Sequence, residues 1–305
     1  MKPDYLLKHL AFPSIFAILM TLFSAFPSGS APLPEKKGHG VPILLYHRFA
    51  VTSSTTTTVT VDEFKSQMAW IKENGFNVIP LAQLVDAYQG KAPFPSPGSI
   101  VIVIDDGHRS FYDKAYEILK SYGFTATLFV YPLDVGHNST MTWSQLEELK
   151  INGFSIQSHT FSHLNIKKVR GDMDSDSYEK LINAELLVSK MVLEGKLGVE
   201  VDCLAYPYGN FDNAMLKEAI EAGYAAAFTI DPRPNFPGDA PQRLSRYTIV
   251  PGMSQKTFAR ILDTSRPKPD QGPFLPFAGK QTAPAPPNDL LGQRDNTSIP
   301  AIRHD

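Results

Sequence analysis

Apolar and polar positions alternate in blocks along the middle of the chain, and the blocks predict strands and helices in turn. Short apolar runs of β-branched residues predict strands, and longer segments with apolar residues three and four apart predict helices. Residues 100–104 read Ile-Val-Ile-Val-Ile, whereas residues 61–74 carry Phe64, Met68 and Ile71 at helical spacing. The alternation repeats about seven times, which is typical of parallel strands joined by helical crossovers.

The same pattern defines the predicted elements along the chain. The predicted strands lie at 41–46, 76–79, 100–104, 124–131, 154–157, 201–206, 224–230 and 244–250. The predicted helices lie at 61–74, 81–88, 109–122, 143–152, 176–194 and 212–222. About seven such units suit an α/β fold of the distorted (β/α) barrel type, with an open doubly wound sheet as the alternative. No glycine-rich phosphate loop follows a predicted strand, which argues against nucleotide binding.

The two ends of the chain differ from this middle part. Lys2 and Lys8 precede an apolar run at 10–26 that small residues follow, and this pattern predicts a secretory signal peptide. An uncleaved N-terminal membrane anchor is the alternative. We therefore expect an exported protein of the periplasm, cell envelope or exterior. The predicted divisions are a signal peptide or anchor at 1–31, a linker at 32–39, a folded domain at 40–264 and a proline-rich disordered tail at 265–305.

Charge and cysteine content exclude several classes of protein. The formal net charge of −2 offers no electrostatic basis for binding nucleic acid or an anionic membrane surface. The single cysteine, Cys203, excludes an intrachain disulfide and cysteine-rich zinc sites.

Two adjacent carboxylates, Asp105 and Asp106, end the most hydrophobic strand and precede Gly107. Repulsion and desolvation both oppose placing two like charges at the end of a buried strand. The pair therefore indicates a bound cation, a hydrogen-bond donor or a reaction. The alternative is that Asp106-Gly107 caps a helix that begins at about Arg109.

Further polar groups follow other predicted strands, and the ends of parallel strands meet at one rim. His47 follows the first strand, and His159 and His163 follow the strand at 154–157. On one helical turn, the spacing of four would place both imidazoles on the same face, where they could share a metal. One carboxylate of the acid pair would complete a two-His, one-Asp site, and the other could act as a general base. Two unrelated loop histidines are the alternative.

Asp105-Asp106-Gly107 followed by His159-Thr-x-x-His163 resembles the polysaccharide deacetylases, which are carbohydrate esterase family 4 or the NodB homology family. The segment Met141-Thr-Trp-Ser-Gln-Leu before Gly153 also resembles that family. The resemblance covers residues 41–250. It implies a distorted (β/α) barrel and metal-dependent removal of N- or O-acetyl groups from polysaccharides.

The resemblance also implies roles for individual residues. Asp106, His159 and His163 would be metal ligands, and Asp105 would be the base. Tyr208, in the segment Tyr-Pro207-Tyr-Gly, matches the motif in which a backbone N–H holds the oxyanion. A His/Asp site with open positions suits zinc, with cobalt or nickel as alternatives.

The chain departs from the family pattern in two places. The arginine that would partner the base falls at Ala205, and Arg246 is a candidate replacement, although a surface arginine is the other interpretation. No late Leu-x-His segment supplies a general acid. The segment 41–47 instead resembles the poly-N-acetylglucosamine deacetylases that carry the acid at the N-terminal strand. His47 would then be the acid, with a core histidine as the alternative.

We therefore expect an exported, metal-dependent enzyme that deacetylates an N-acetylated, poly-N-acetylglucosamine-like polysaccharide. An O-acetyl esterase, a peptidoglycan deacetylase and a non-catalytic glycan-binding barrel remain alternatives. His108 could line the cleft or be an ordinary loop histidine, and Pro207 is a further candidate support for the site. Residues 55–58 are expected to form an exposed loop without a specific role.

Overall fold

A sheet of parallel strands organises the computed structural model, which describes residues 38–137 and 139–267. The strands are β1 (Ile43–Tyr46), β2 (Arg48–Ala50), β3 (Thr58–Thr60), β4 (Asn77–Val78), β5 (Ser99–Ile104), β6 (Thr127–Val130), β7 (Ser155–Ser158), β8 (Cys203–Ala205), β9 (Ala226–Phe228) and β10 (Tyr247–Thr248). The helices are α1 (Val61–Glu73), α2 (Leu81–Tyr88), α3 (Tyr116–Tyr122), α4 (Trp143–Ile151), α5 (Ile166–Val169), α6 (Ser175–Leu197), α7 (Asn213–Glu221) and α8 (Gln255–Asp263).

The main sheet runs in the order β10-β1-β5-β6-β7-β8-β9, and β4 pairs with β5 outside this path. The segment that leads into β10 links the two edges of the curled sheet. Leu244 bridges to Phe228 of β9, whereas Tyr247 pairs with Leu44 of β1. Seven parallel strands thus form a curled half-barrel surrounded by helices, and the prediction of a distorted (β/α) barrel is confirmed. The alternative of an open doubly wound sheet is wrong.

The two faces of each strand pack against different layers, as the pleat of a β-strand requires. In β1, Leu44 and Tyr46 belong to the apolar layer under the helices, whereas Ile43 and Leu45 belong to the smaller core inside the barrel. The same alternation explains the continuous apolar runs, because strands covered on both faces need apolar residues at every position.

Several helices begin directly after a polar residue that caps the first turn. Thr60 and Thr142 each form a reciprocal capping box at the start of α1 and α4. Asp212 and Ser254 accept hydrogen bonds from the first turns of α7 and α8. The caps fix where each helix leaves the preceding loop, and therefore the length of the loops that form the rim of the barrel.

Some elements differ from the sequence-based expectations. Residues 55–58 are not simply an exposed loop, because Thr58 is buried and begins β3, which pairs in parallel with β2. The short pairing was missed because its segments are too brief and too polar to show a period. Helices α5 and α8 were also missed.

The chain termini fall largely outside the described residues. The predicted signal peptide, anchor and most of the linker and tail belong to that part of the chain. Ser265 and Arg266, placed in the tail by the sequence, still pack on the domain: Ser265 is buried and its carbonyl accepts from the Gly98 N–H. Within the described residues, no helix combines the length and the apolar character needed to cross a bilayer.

Candidate active site

The pleat of the strands places the candidate site at one end of the barrel. Because inward-facing positions recur every second residue, the next inward positions lie just beyond the strand ends. Four polar or aromatic side chains occupy these positions and line one cleft: His47, Asp105, Tyr131 and His159. Mostly apolar residues therefore fill the barrel below its rim, and the polar side chains of the cleft begin where these strands stop.

The cleft has a volume of about 480 Å³. Besides these four side chains, the lining includes the candidate metal ligands Asp106 and His163, Tyr208, and several side chains that the sequence did not single out. The lining residues are His47, Arg48, Thr57, Asp105, Asp106, Tyr131, His159, His163, Tyr206, Tyr208, Ile230 and Thr248. Ile230 and Thr248 also lie two residues beyond inward positions, so the pleat register could have identified them. Arg48 and Thr57 belong to β2 and the loop before β3, where the sequence carried no such signal.

The acid pair sits in backbone that strongly constrains it. Asp106 has a φ of 72°, in the left-handed region, and Gly107 follows with a φ of 64°. A Cβ on Gly107 would lie 3.2 Å from Val130 Cγ1, so the glycine permits a close approach of β6. The helical segment that follows begins with a π-helical turn at Phe111 and has no side-chain cap. The alternative that Asp106 is a helix N-cap is therefore wrong.

Arg246 is buried inside the barrel, with none of its surface exposed to solvent. It lies on the linking segment two residues after Leu244, and its Nη1 donates to Asp105 Oδ1 over 2.7 Å. Its Nε donates to the Thr229 carbonyl, and its guanidinium lies over the Phe129 ring. The interpretation of Arg246 as a surface or rim residue is wrong. The segment that leads into β10 brings Arg246 against Asp105, a contact that Ala205 cannot provide.

The Arg246 contact sets the charge of Asp105. Burial alone would raise the pKa of Asp105, but the Arg246 guanidinium, aided by His159 and His47, holds that pKa below its usual range. Asp105 is therefore an ionised carboxylate at neutral pH. Oδ1 is held by the arginine, and Oδ2 lies 3.7 Å from His159 Nε2.

His159 and His163 are brought together by an irregular loop and not by a helical turn. Thr160 and His163 have φ values of 62° and 59°, and the two imidazole centroids are 4.7 Å apart. A β-branched threonine in the left-handed region is a true outlier, and such residues cost about 1–3 kcal/mol each. The helical interpretation of the spacing was wrong, although the loop also places both rings together.

Three groups in the cleft could hold a metal ion: Asp106, His159 and His163, whose ligand atoms all lie within 4.8 Å of one another. Asp106 Oδ1 lies 3.7 Å from His159 Nε2 and 3.5 Å from His163 Nε2. His159 Nδ1 lies 2.8 Å from the Ala205 carbonyl, which can only accept. The proton of neutral His159 therefore sits on Nδ1, and its Nε2 lone pair faces the other two groups.

The protonation of His163 also suits a metal ligand, because a histidine that binds a metal must be neutral. Burial, together with neighbouring His159, lowers the pKa of His163 to about 4. Asp106 supplies a negative charge between the two rings. The set of two imidazoles and one carboxylate matches the chemistry of a catalytic zinc site, which leaves positions for water or substrate.

His47 lines the same cleft and follows β1, the strand that pairs with β5 and its acid pair. Burial lowers its pKa, whereas the charges of Asp105 and Asp106 oppose that shift. Its buried Nδ1 has no hydrogen-bond partner among the described residues. The side chain is thus inside the cleft, and no protein group within the described range fixes its tautomer. The alternative of a satisfied core histidine is wrong.

The three other candidates have different surroundings. Tyr208 has a φ of 58°, and its half-exposed ring packs against His163 with centroids 4.8 Å apart. Pro207 before it is buried and has no N–H of its own. His108 is not among the lining residues, and its Nδ1 instead lies 2.8 Å from Ser110 Oγ, which accepts from the Phe49 N–H. We interpret His108 as supporting the adjoining loop.

The chain is similar to several proteins described as deacetylases. The family model described as polysaccharide deacetylase matches residues 94–227. The Bacillus subtilis protein YxkH, whose name assigns it to the polysaccharide deacetylases, is 29% identical over 78% of this chain and 81% of its own length. The poly-beta-1,6-N-acetyl-D-glucosamine N-deacetylase of Staphylococcus epidermidis is 28% identical over 63% of this chain and 68% of its own length.

A solved structure shows the same likeness in three dimensions. The Streptococcus pyogenes deacetylase PplD, determined in complex with acetate, is 25% identical and superimposes with a TM-score of 0.66. The match covers 73% of this chain and 98% of that chain. The similarity therefore extends over nearly the whole of the solved chain.

Proposed function

Because the chain belongs to the polysaccharide deacetylase family and is a hydrolase of amide or ester bonds, we propose that it removes N-acetyl groups from a poly-N-acetylglucosamine-like polysaccharide with the help of a divalent metal. One observation carries the proposal. A carboxylate and two imidazoles that could bind a metal lie beside a second carboxylate, Asp105, which a buried arginine keeps ionised. This combination provides both a metal site and a base within one cleft.

Asp106, His159 and His163 would hold the metal, and zinc suits their donor atoms best, with cobalt or nickel as alternatives. When bound, such a metal polarises a carbonyl and makes water more acidic. The orientation of His159 by the Ala205 carbonyl and the neutral state of His163 both support this assignment. These features prepare the nitrogen lone pairs before any ion arrives.

Asp105 would accept the proton of the attacking water. A general base must be ionised and within reach of the water, and Arg246 supports the first requirement by lowering the pKa of Asp105. Arg246 also fixes the orientation of the carboxylate, because it binds one oxygen and leaves the other toward the histidines. The non-catalytic alternative depended on the missing arginine at position 205, and Arg246 removes that reason.

Two further groups would complete the reaction. The backbone N–H of Tyr208 would donate to the oxyanion that develops on the acetyl carbonyl. His47 would donate a proton to the departing amine, because an amine is a poor leaving group unless protonated. Burial lowers the pKa of His47 overall, and the negative charges of Asp105 and Asp106 offset part of that shift. Acetate and a free amino sugar would result.

The substrate assignment depends on the relatives and on the place of His47. The Staphylococcus epidermidis relative is named for poly-beta-1,6-N-acetyl-D-glucosamine, and the PplD structure contains acetate, the product that deacetylation releases. The general acid candidate on the first strand, as in the poly-N-acetylglucosamine deacetylases that this chain resembles, points the same way. We also propose export, because residues 1–31 have the composition of a signal peptide.

The first test is release of acetate from N-acetylglucosamine oligomers. We expect release by the purified full chain, loss of at least ~100-fold after exhaustive chelation, and recovery on addition of Zn²⁺, because both water activation and carbonyl polarisation need the metal. Parallel assays with O-acetylated xylan and with peptidoglycan fragments distinguish the two enzymatic alternatives. Acetate release that survives chelation would show that the reaction does not depend on a metal.

The second test concerns His47. The His47→Ala variant should keep its metal and bind substrate, but lose most turnover of N-acetylglucosamine oligomers, about 100-fold or more for loss of a general acid. The loss should be much smaller for an aryl acetate ester, because its leaving group hardly needs a proton. Acetate release from both substrates is the measurement.

The pH dependence provides an independent check on His47. An acid must be protonated to act, so the wild-type rate on the amide should fall as pH rises through the pKa of His47. The alanine variant should lack that alkaline limb. Equal losses on amide and ester, with metal retained, would instead assign His47 to positioning and leave the acid unidentified.

A further inference from the structure

One side of helix α6 faces the loop that joins His159 to His163. Glu185 and Ser189, four residues apart on that helix, share a face. Both are buried, although a glutamate is rarely buried without a partner. Among the residues that the structure describes, no lysine, arginine or histidine forms an ion pair with Glu185. Its charge is instead matched by hydrogen bonds from the loop.

The hydrogen bonds from the loop to Glu185 are three. The backbone N–H groups of Phe161 and Ser162 donate to Glu185 Oε2 over 3.1 and 2.9 Å. The Ser162 hydroxyl donates to Glu185 Oε1 over 2.7 Å. Hydrogen bonds to an ionised acceptor are stronger than those between neutral groups, so one side chain secures the middle of the loop.

Ser189 secures the start of the same loop through a relay. Its Oγ lies 2.8 Å from Ser158 Oγ, which accepts from the Thr160 N–H over 3.2 Å. Together with the two bonds to Glu185, every backbone N–H between the two histidines is therefore bound either directly or through a relay to α6. Helix α6 is thus hydrogen-bonded to the loop that carries His159 and His163, although no residue of α6 is a candidate metal ligand.

The loop needs such support because its conformation is unfavourable by itself. Thr160 and His163 both lie in the left-handed region, and strained residues persist only where their surroundings determine them. If the loop relaxed, His163 would turn away from Asp106 Oδ1, which now lies 3.5 Å from its Nε2. His159 would be less affected, because the strand β7 and the Ala205 carbonyl hold it separately.

We propose that Glu185 is a positioning residue for the metal site, which holds His163 where it can bind the ion together with Asp106 and His159. The inference rests on the proposed metal-dependent function. Helix α6 would then do more than cover the barrel. Its inner face would hold the loop between His159 and His163 in the conformation that binds the metal. Groups that orient metal ligands typically change metal affinity by about 10–100-fold when removed.

The experiment compares Zn²⁺ dissociation constants of full-length apo-protein variants, measured by competition with a chromophoric chelator. Glu185→Ala should bind Zn²⁺ about 10–100-fold more weakly. Glu185→Gln should remain within about 3-fold of wild type, because its carbonyl can accept both backbone N–H bonds and its amide can donate to Ser162 Oγ. Recovery by the glutamine variant would show that the site requires the hydrogen bonds of this side chain and not its negative charge.

Glu218 on α7 offers a matched control. It is also a buried glutamate, but its partners are Asn183 and Lys217, away from the ligand loop. Glu218→Ala should lower the melting temperature as a buried polar deletion does, yet leave Zn²⁺ affinity within about 3-fold of wild type. The comparison separates loss of stability from loss of ligand geometry.

The outcomes are distinct. Weaker Zn²⁺ binding in Glu185→Ala, with acetate release recovering at saturating Zn²⁺, supports the proposal. Unchanged Zn²⁺ affinity in Glu185→Ala beside a lowered melting temperature overturns it. If that variant does not fold, Glu185→Asp, which shortens the side chain by one methylene, gives the same decision on Zn²⁺ affinity. If the wild type binds none of Zn²⁺, Co²⁺ and Ni²⁺, the proposed function fails, which is a separate result.

Discussion

Replacing His159 or His163 with alanine is expected to abolish acetate release and to lower the metal content while the barrel stays folded. Asp106, His159 and His163 are the described residues whose ligand atoms lie close enough together to hold one ion. Loss of one of three ligands should weaken binding by more than the ~10–100-fold that loss of a supporting group costs. Metal per protein by elemental analysis, acetate release and the melting temperature are the measurements.

His39→Ala provides the matched control for these variants. His39 lies outside the cleft, and its Nε2 is 2.7 Å from the Pro95 carbonyl. We expect it to keep full metal content and activity, because it shares no partner with the ligand set. Full activity of His159→Ala after removal of metal would contradict the assignment of the ligands.

Asparagine at positions 105 and 106 should separate the roles of the two carboxylates. Asp106→Asn should lose metal, because Asp106 Oδ1 lies between the two histidine nitrogens. Asp105→Asn should retain metal but lose most of the rate, about 100-fold or more for a general base. The amide oxygen can still accept from Arg246, so the variant should stay folded.

Metal content and the turnover number at saturating substrate distinguish the two cases. Asp105→Asn should lower turnover with little change in metal, whereas Asp106→Asn should lower both together. If the two variants lost metal equally, Asp105 would be a ligand as well, and the base would have to be sought elsewhere in the cleft. An active Asp105→Asn enzyme would exclude Asp105 from proton transfer.

The secondary structure could be predicted well where the hydrophobic period was long and regular. Strand β5 and helix α1 carry complete patterns and appear close to the predicted limits. The pairing of β2 with β3 could not be predicted, because three-residue strands have no measurable period and their pairing depends on segments already placed by the barrel. The structure of a long element can therefore be predicted from its own residues, whereas that of a short element depends on its neighbours in the fold.

The candidate site shows a similar division. The acid pair and the two histidines were noticed because of their residue types at strand ends, but the reason offered for His159 and His163 was wrong. Their rings meet in a loop with two residues in the left-handed region, and a spacing of four fits that loop as well as it fits a helix. Local spacing restricts the possible geometries without selecting one.

Arg246 and Glu185 are the clearest cases of residues that only the tertiary structure could place. Arg246 lies 141 positions from Asp105, and Glu185 lies 23 positions from Ser162. The sequence offered Arg246 only as one candidate partner of Asp105, beside the interpretation as a surface or rim arginine, and nothing near Glu185 in the chain indicated which loop it would contact. The linking segment and the inner face of α6 determine these contacts.

The sequence alone predicted the longer strands and helices, the parallel order of the strands, and the gathering of polar groups where strands end. These properties depend on local hydrophobic period and on short connections, which a chain carries in its own order. Which side chains then meet was decided by the closing of the sheet, because closure brings the segment after β9 against β1 and turns Arg246 inward. The charge of Asp105 and the shape of the ligand loop follow from those distant contacts, since a pKa and a strained backbone both depend on neighbours in space.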